Sequence, residues 1–296
     1  MKKIVSLFLL LLLALSLYSG QITFAAAKEA LILWFEKLVP SMFVSMVLVR
    51  ILYAKQILHH LRIPFLARIL AIDEACMPLV LCSMLLGFPS GATFIDEAYG
   101  RGELDEAGAR RLINTCSFAT PGFVIMSCGL VFFHSMTIGF YLFAAQVMSG
   151  FLLLLCTRQT AVIAMSAPKR QSQGNVLADA IVQSGKALYM IGGYLMLFMS
   201  VSSVLMPFVP ELLRLPLRIS AEFSSGVVYI SQLTMSVETK MLFTSFLLSF
   251  AGFCVHMQVC SMVEHCSLSY GSFLKYRILQ GLCSVLIFFI FLTLFL

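Results

Sequence analysis

The sequence predicts an all-α polytopic membrane protein, with about seven transmembrane helices and two re-entrant helical hairpins arranged as an inverted repeat. Three observations lead there. Sixty per cent of the 296 residues are apolar and 11% charged, with a mean hydropathy of +0.97, whereas a soluble domain is about 45–50% apolar and about 25% charged. Apolar segments too short to span, interrupted by Gly and Pro or Ser, recur in both halves of the chain. The 20 Lys and Arg fall unevenly about the predicted spans. This composition excludes a soluble enzyme, a nucleic-acid binder and a disordered chain. The net charge of +6 then orients the chain in the cell membrane rather than binding phosphates. The nine Cys lie in or beside apolar runs with no C-x-x-C pair, so they read as small buried hydrophobes.

The elements follow in order. Met1-Lys2-Lys3 precedes an uncharged run from Ile4 to Ala27, long enough to cross. Ala25-Ala26-Ala27 is a small-residue sequence of the kind a signal peptidase cuts; the preferred reading of 1–27 is an uncleaved transmembrane helix, with a signal sequence as the alternative. The second crossing is 30–53, with Pro40 as a kink. Leu61–Ile72 is short and amphipathic and suits the interface. The first hairpin, 77–99, has arms on either side of Gly87-Phe88-Pro89-Ser90-Gly91, and neither arm covers about 30 Å at 1.5 Å per residue. The third crossing, 104–134, is two half-helices broken at Thr120-Pro121-Gly122, and 138–156 is a plain span. Residues 28–158 thus form a first half. Residues 159–179 make a cytoplasmic linker, and 180–296 form a second half.

That second half repeats the order. After the span 180–206, where Gly192-Gly193 permits close helix packing, comes a hairpin, 217–233, broken at Ser224-Ser225-Gly226. A crossing, 238–263, is broken at Ala251-Gly252-Phe253, and the span 272–296 closes the chain. Paired interrupted segments point to an inverted-repeat transporter with its site where they meet. With the N-terminus inside, fifteen basic residues, Arg277 among them, fall on the inner side and only Lys28, Lys37, Arg214, Arg218 and Lys240 on the outer. That positive-inside bias makes the first hairpin enter from inside and the second from outside.

Ionisable groups within a membrane are candidates for function because their burial is costly. Glu222 leads, two residues before the second hairpin's break. It is either a mid-membrane carboxylate or an interfacial one partnered by Arg218. Glu238 begins the second broken crossing, where an acid can also simply stabilise a helix N-terminus. Ser90, Gly91, Ser225 and Gly226 mark the hairpin breaks, the glycines for turns a side chain would disrupt. Asn114 and Thr120 approach the break of the first broken crossing, and His256 and Gln258 follow the break of the second. Each of these polar groups reads alternatively as a helix–helix hydrogen bonder. The spacing of His256, Cys260 and His265 is too weak to assign a metal. No His-Glu-x-x-His, Gly-x-Ser-x-Gly or phosphate-loop motif is present, so neither an enzyme nor a cofactor is expected. The expected partners are the lipid bilayer, a small polar solute and a coupling cation, with no nucleic acid; a homo-oligomer is left open.

Gly87-Phe88-Pro89-Ser90-Gly91-Ala92, then Gly102–Ala107, then Asn114 leading to Thr120-Pro121-Gly122-Phe123 resemble the nucleoside recognition, or Gate, domain family, and within it the sporulation integral membrane proteins. Leu33-Trp34-Phe35, Val39-Pro40-Ser41, Glu222 with Gly226, Gly252–Gln258 and Phe273 with Arg277 extend the resemblance over about residues 25–290. It implies a fold related to the gate region of concentrative nucleoside transporters, a nucleoside-like solute, and a role in spore formation at the cortex stage. The competing functional reading is a non-transporting membrane component that docks other proteins during assembly. A site cavity between the hairpins would favour transport, and a filled centre would favour docking.

Overall fold

A computed structural model describes residues 2–157, 163 and 175–295. Most of the linker expected at 159–179 therefore lies outside the described residues. Apart from one isolated bridge, Ile72 to Ile163, the regular structure of the described residues is helical. Five helical stretches are long and apolar enough to cross a bilayer: Gly20–Ala54, Met136–Cys156, Val176–Phe208, Val237–Met262 and Tyr270–Phe295, with shorter apolar helices at Ser6–Tyr18, Glu74–Leu86 and Gly122–Phe132. The chain is a multi-pass membrane protein.

Helix α1 (Lys2–Tyr18) is followed after a single residue by α2 (Gly20–Ile32). Ser19 is hydrogen-bonded to Leu15 on one side and to Thr23 on the other, so the chain bends there without a loop. The boundary expected near Lys28, between crossings 4–27 and 30–53, is replaced by this bend. A π-helical turn, Leu33–Leu38, links α2 to α3 (Val39–Ala54). Pro40 sits in the first turn of α3. It has no N–H to donate backward, and the π turn before it absorbs the lost hydrogen bond. The same turn aims Trp34 at the long helix α9 (Val176–Leu205), where Nε1–H donates to the Leu188 carbonyl at 2.8 Å. A Cβ at Gly192 would meet the Trp34 ring at 2.8 Å, while nothing lies within 4 Å of one at Gly193; of the two, Gly192 makes the close packing. Helix α9 begins at Val176, capped by Asn175, so 176–179 is helix rather than linker.

After the short α4 (Pro64–Leu70), the first hairpin is α5 (Met77–Leu86) and α6 (Ser90–Gly100). The broken crossing is α7 (Glu106–Thr115) and the π-helix Gly122–Phe132, followed by α8 (Met136–Cys156). The second half repeats this order: hairpin α10 (Glu211–Ala221) and α11 (Phe223–Gln232), broken crossing α12 (Val237–Phe250) and α13 (Gly252–Met262), then α14 (Tyr270–Phe295). Sequence chemistry sets the ends. Gly87 (φ +65°) and Ala251 (φ +77°) followed by Gly252 (φ +73°) stop α5 and α12 in left-handed conformations. Asp105, Ser135 and Ser236 accept N–H groups at the starts of α7, α8 and α12.

Two details differ from expectation. The second hairpin turns at Glu222, and Ser224-Ser225-Gly226 form the first turn of α11. Ser90 and Gly91 likewise open α6 rather than sit in the turn. Neither Gly91 nor Gly226 has a positive φ; both are needed for close approach. A Cβ on Gly91 would meet the Ser83 carbonyl oxygen at 2.8 Å, and one on Gly226 would run into the Ile219 carbonyl oxygen and, at 2.8 Å, Leu247.

The four breaks meet. Phe88, at the first tip, stacks edge-on against Phe223, at the second, with ring centroids 5.0 Å apart. Phe123, just past the break in the first crossing, lies 5.1 Å from Phe223. Gly252 lies against the backbone of Ser220, Glu222 and Phe223. The Phe88 N–H donates to the Phe118 carbonyl at 2.6 Å. The hairpin arms run to opposite ends of the molecule. Asp96, on α6, reaches the turn after α13, whereas α11 ends beside Lys240, at the start of α12, which donates to the Ser231 carbonyl at 2.8 Å.

Candidate functional site

The unwound segment 116–120 carries carbonyls that its flanking helices leave unpaired up to Ala119, and non-helical backbone at this depth survives only if protein buries and pairs it. Side chains do so. Ser83 donates to the Cys116 carbonyl, and Arg277 donates to the carbonyls of Ser117 (2.7 Å) and Asn114. Gln146 Nε2 approaches the Ala119 carbonyl at 3.4 Å. Arg277 also reaches the Ser249 carbonyl at 3.4 Å, near the end of α12. This guanidinium is fully buried and faces the C-terminal ends of both half-helices, where partial negative charge collects. The Phe273 ring lies 5.3 Å below it. Its placement corrects the reading of Arg277 as an inner-side topology charge. The available signal was Arg277, Gln280 and Ser284 recurring at helical spacing within an otherwise apolar span; all three are buried.

Glu222 forms the centre of the candidate site. It is 3% exposed and occupies the N-cap of α11. One carboxylate oxygen accepts the Ser224 N–H at 3.0 Å and the other the Ser225 N–H at 2.7 Å, with the Ser224 hydroxyl at 2.8 Å. The charge is therefore met by a helix N-terminus. Arg218, the partner offered by the alternative reading, lies instead over the Tyr229 ring at 4.4 Å. Glu222 borders a cavity of about 30 Å³, whose other polar walls are Ser41, Thr120 and Gln258. Phe88, Phe123 and Phe223 supply the aromatic walls. Gln258 Nε2 donates to Cys254 Sγ at 3.3 Å. Thr120 Oγ accepts the Phe123 N–H at 3.3 Å.

Of the expected site residues, Thr120, Glu222 and Gln258 thus meet at one cavity, and Ser225 and Gly226 shape the helix turn that holds Glu222. The others lie elsewhere. The Ser90 hydroxyl is directed at Met46 Sδ, 3.9 Å away. Gly91 packs α6 onto α5. The Asn114 side-chain oxygen is buried without a partner among the described residues, at the end of α7 beside Arg277. His256 Nε2 pairs with the Phe250 carbonyl at 2.7 Å, a group released by the break in α12, and its ring is enclosed by Phe250, Phe253 and Phe273. Ser41 was not among the expected site residues: Val39-Pro40-Ser41 entered only as part of the resemblance, and nothing local places that hydroxyl at the small cavity.

A second, larger cavity of about 740 Å³ opens at the end of the molecule where the basic residues gather. Arg50 and Glu97 form a two-pronged ion pair there, at 3.1 and 3.2 Å. Asp96 accepts the N–H groups of Glu264, His265 and Cys266 at 2.8, 3.0 and 2.7 Å, which ties the first hairpin to the second half.

The chain is similar to the sporulation integral membrane protein YlbJ of Bacillus subtilis (strain 168), with 23% identity over 324 residues, covering 94% of this chain and 79% of that protein. No family model matches the chain, so the Gate-domain resemblance stands on its motifs alone. No solved structure matches it.

Proposed function

We propose that this chain is a transporter-like membrane protein acting in spore formation, in which the four breaks form a gate around Glu222. The convergence of those breaks on one small, mainly apolar cavity with four polar residues in its wall carries the reading. A carboxylate, an amide and two hydroxyls face a common space between two hairpin tips that approach from opposite ends, as an inverted repeat requires. A cavity of about 30 Å³ has room for a water or a single monovalent cation, whereas sites for drug-sized ligands run to about 300–1,000 Å³. The coupling cation therefore belongs at Glu222 in this state, and the cavity has room for a nucleoside-sized solute once Phe88 and Phe223, which wall it, separate. The similarity to a protein named for sporulation supports the cellular role.

The protein-docking reading is favoured by the same small volume, since the centre is nearly filled. Purified protein in liposomes decides between them. Cation-dependent uptake from a panel of nucleosides, lost in Glu222→Gln, is expected. Absence of flux for solutes and cations alike in the wild-type protein would leave the docking role.

A further inference from the structure

We propose that the large cavity is the access route to the Glu222 cavity, and that the Met46 side chain seated on Ser90 is its gate. This rests on the reading of the Glu222 cavity as the transport site. The two cavities are lined by different residues of the same helices. On α9, Ile191 and Leu195 line the small cavity and the adjoining Met190 and Ala187 the large one. On α13, Val255 and Gln258 line the small cavity and Ser261 and Met262, one turn on, the large one. These two walls run from one space to the other without interruption.

The opposite side is where the route closes. On α3, Met42 lines the small cavity and Arg50 the large one. Met46 falls midway on the same helical face, one turn of about 6 Å from each. On the first hairpin, Pro89 lines the small cavity and Thr93 the large one, with Ser90 between them. Met46 and Ser90 touch each other, with Oγ to Sδ at 3.9 Å, and both are fully buried. The barrier is thus one side-chain layer rather than a helix. Methionine is unbranched, with three rotatable bonds, so the layer can move by side-chain rotation. A weak O–H to sulfur contact holds it closed.

The test introduces Leu195→Cys as a reporter deep in the small cavity. Oriented vesicles are treated with a small, membrane-impermeant cationic methanethiosulfonate, and labelling is read by mass spectrometry on the peptide that carries the introduced thiol. Met46→Ala is expected to speed labelling at least tenfold from the basic end and not from the other. Met46→Leu, which refills the space, should match wild type. Gln183→Cys, in the open cavity, should label equally in every background and so reports an intact fold. Met46→Val gives a milder opening if the alanine variant fails to insert. Equal rates with and without the Met46 truncation, or faster entry from the opposite end, would overturn the proposal. Labelling needs no transport, so the route stands if uptake is absent but Met46→Ala opens the site, and it alone falls if uptake depends on Glu222 while Met46 is indifferent.

Discussion

At the centre of the molecule lie the buried ionisable groups Glu222 and Arg277, and each is met by helix ends rather than by an opposite charge among the described residues. For Glu222 the ligands are the N–H groups of Ser224 and Ser225. Glutamine keeps one acceptor oxygen there and loses the charge, so Glu222→Gln should still insert, lose about 1 kcal/mol of stability, and abolish cation-dependent uptake. Arg218→Gln should be mild, because that guanidinium rests on Tyr229. Full uptake in Glu222→Gln would remove the carboxylate from the mechanism. Arg277→Gln is the harsher change. It leaves the buried carbonyls of Asn114, Ser117 and Ser249 without this donor, at about 1–3 kcal/mol for each orphaned group. Removing a buried cation offsets part of this, and the net expectation is a loss of about 3 kcal/mol. Thermal unfolding in detergent measures it, and an unchanged midpoint would show that the three carbonyls do not depend on Arg277.

The glycines of the hairpins act through backbone contact between helices. Gly91→Val drives a branched side chain into the Ser83 backbone, and Gly226→Val meets the Ile219 carbonyl and Leu247. Overpacking of this kind costs about 1–3 kcal/mol, so both variants should lose folded yield and uptake together. Gly193→Ala, with open space around it, should stay within about 0.5 kcal/mol of wild type. Size-exclusion profiles of the three variants separate the cases, and equal behaviour of all three would contradict the packing described for the hairpins. The reason for each glycine differs with its place: Gly87 and Gly252 take left-handed conformations, whereas Gly91 and Gly226 sit in ordinary helical turns pressed against a neighbouring backbone.

Across the molecule, the basic end and its opposite are linked through the meeting breaks, and the two halves are tied at the basic end by Asp96. An amide at that position keeps one acceptor and loses the charge that draws three N–H groups together. Asp96→Asn should therefore loosen the turn 263–269 and expose it to protease, with the rest of the fold retained; a digestion pattern identical to wild type would show that the tie is dispensable. The same vesicles check the positive-inside orientation. A thiol introduced in the connection 208–210, after α9, should label from outside, and one at Ser267, beside Glu106, from inside only. The reverse pattern would invert the whole arrangement, and with it the direction of the access route.

Much of this was legible in the chain itself. The apolar composition demands a bilayer as solvent, and clusters of Gly, Pro and Ser within apolar segments too short to span point to breaks, because Pro has no N–H to donate and Gly readily takes the positive φ that ends a helix. The two hairpins, the two broken crossings and the plain spans α8, α9 and α14 follow from local chemistry of that kind. Local chemistry did not reveal which groups the breaks bring together. Arg277 lies 163 and 160 residues after Asn114 and Ser117, whose carbonyls it serves in the first half, and a basic residue near the start of a span reads first as a topology charge. Ser41, Met46 and Ser90 acquire roles only because α3 packs beside the first hairpin. The turn at Glu222 rather than at Ser224-Ser225-Gly226 was likewise settled by tertiary contact. Gly252 presses on the backbone of Ser220, Glu222 and Phe223, and the Glu222 carboxylate caps α11 by accepting the Ser224 and Ser225 N–H groups, although serine is by itself the commoner N-cap residue. Sequence periodicity reports burial one element at a time, whereas a site between four breaks is a property of how distant segments pack.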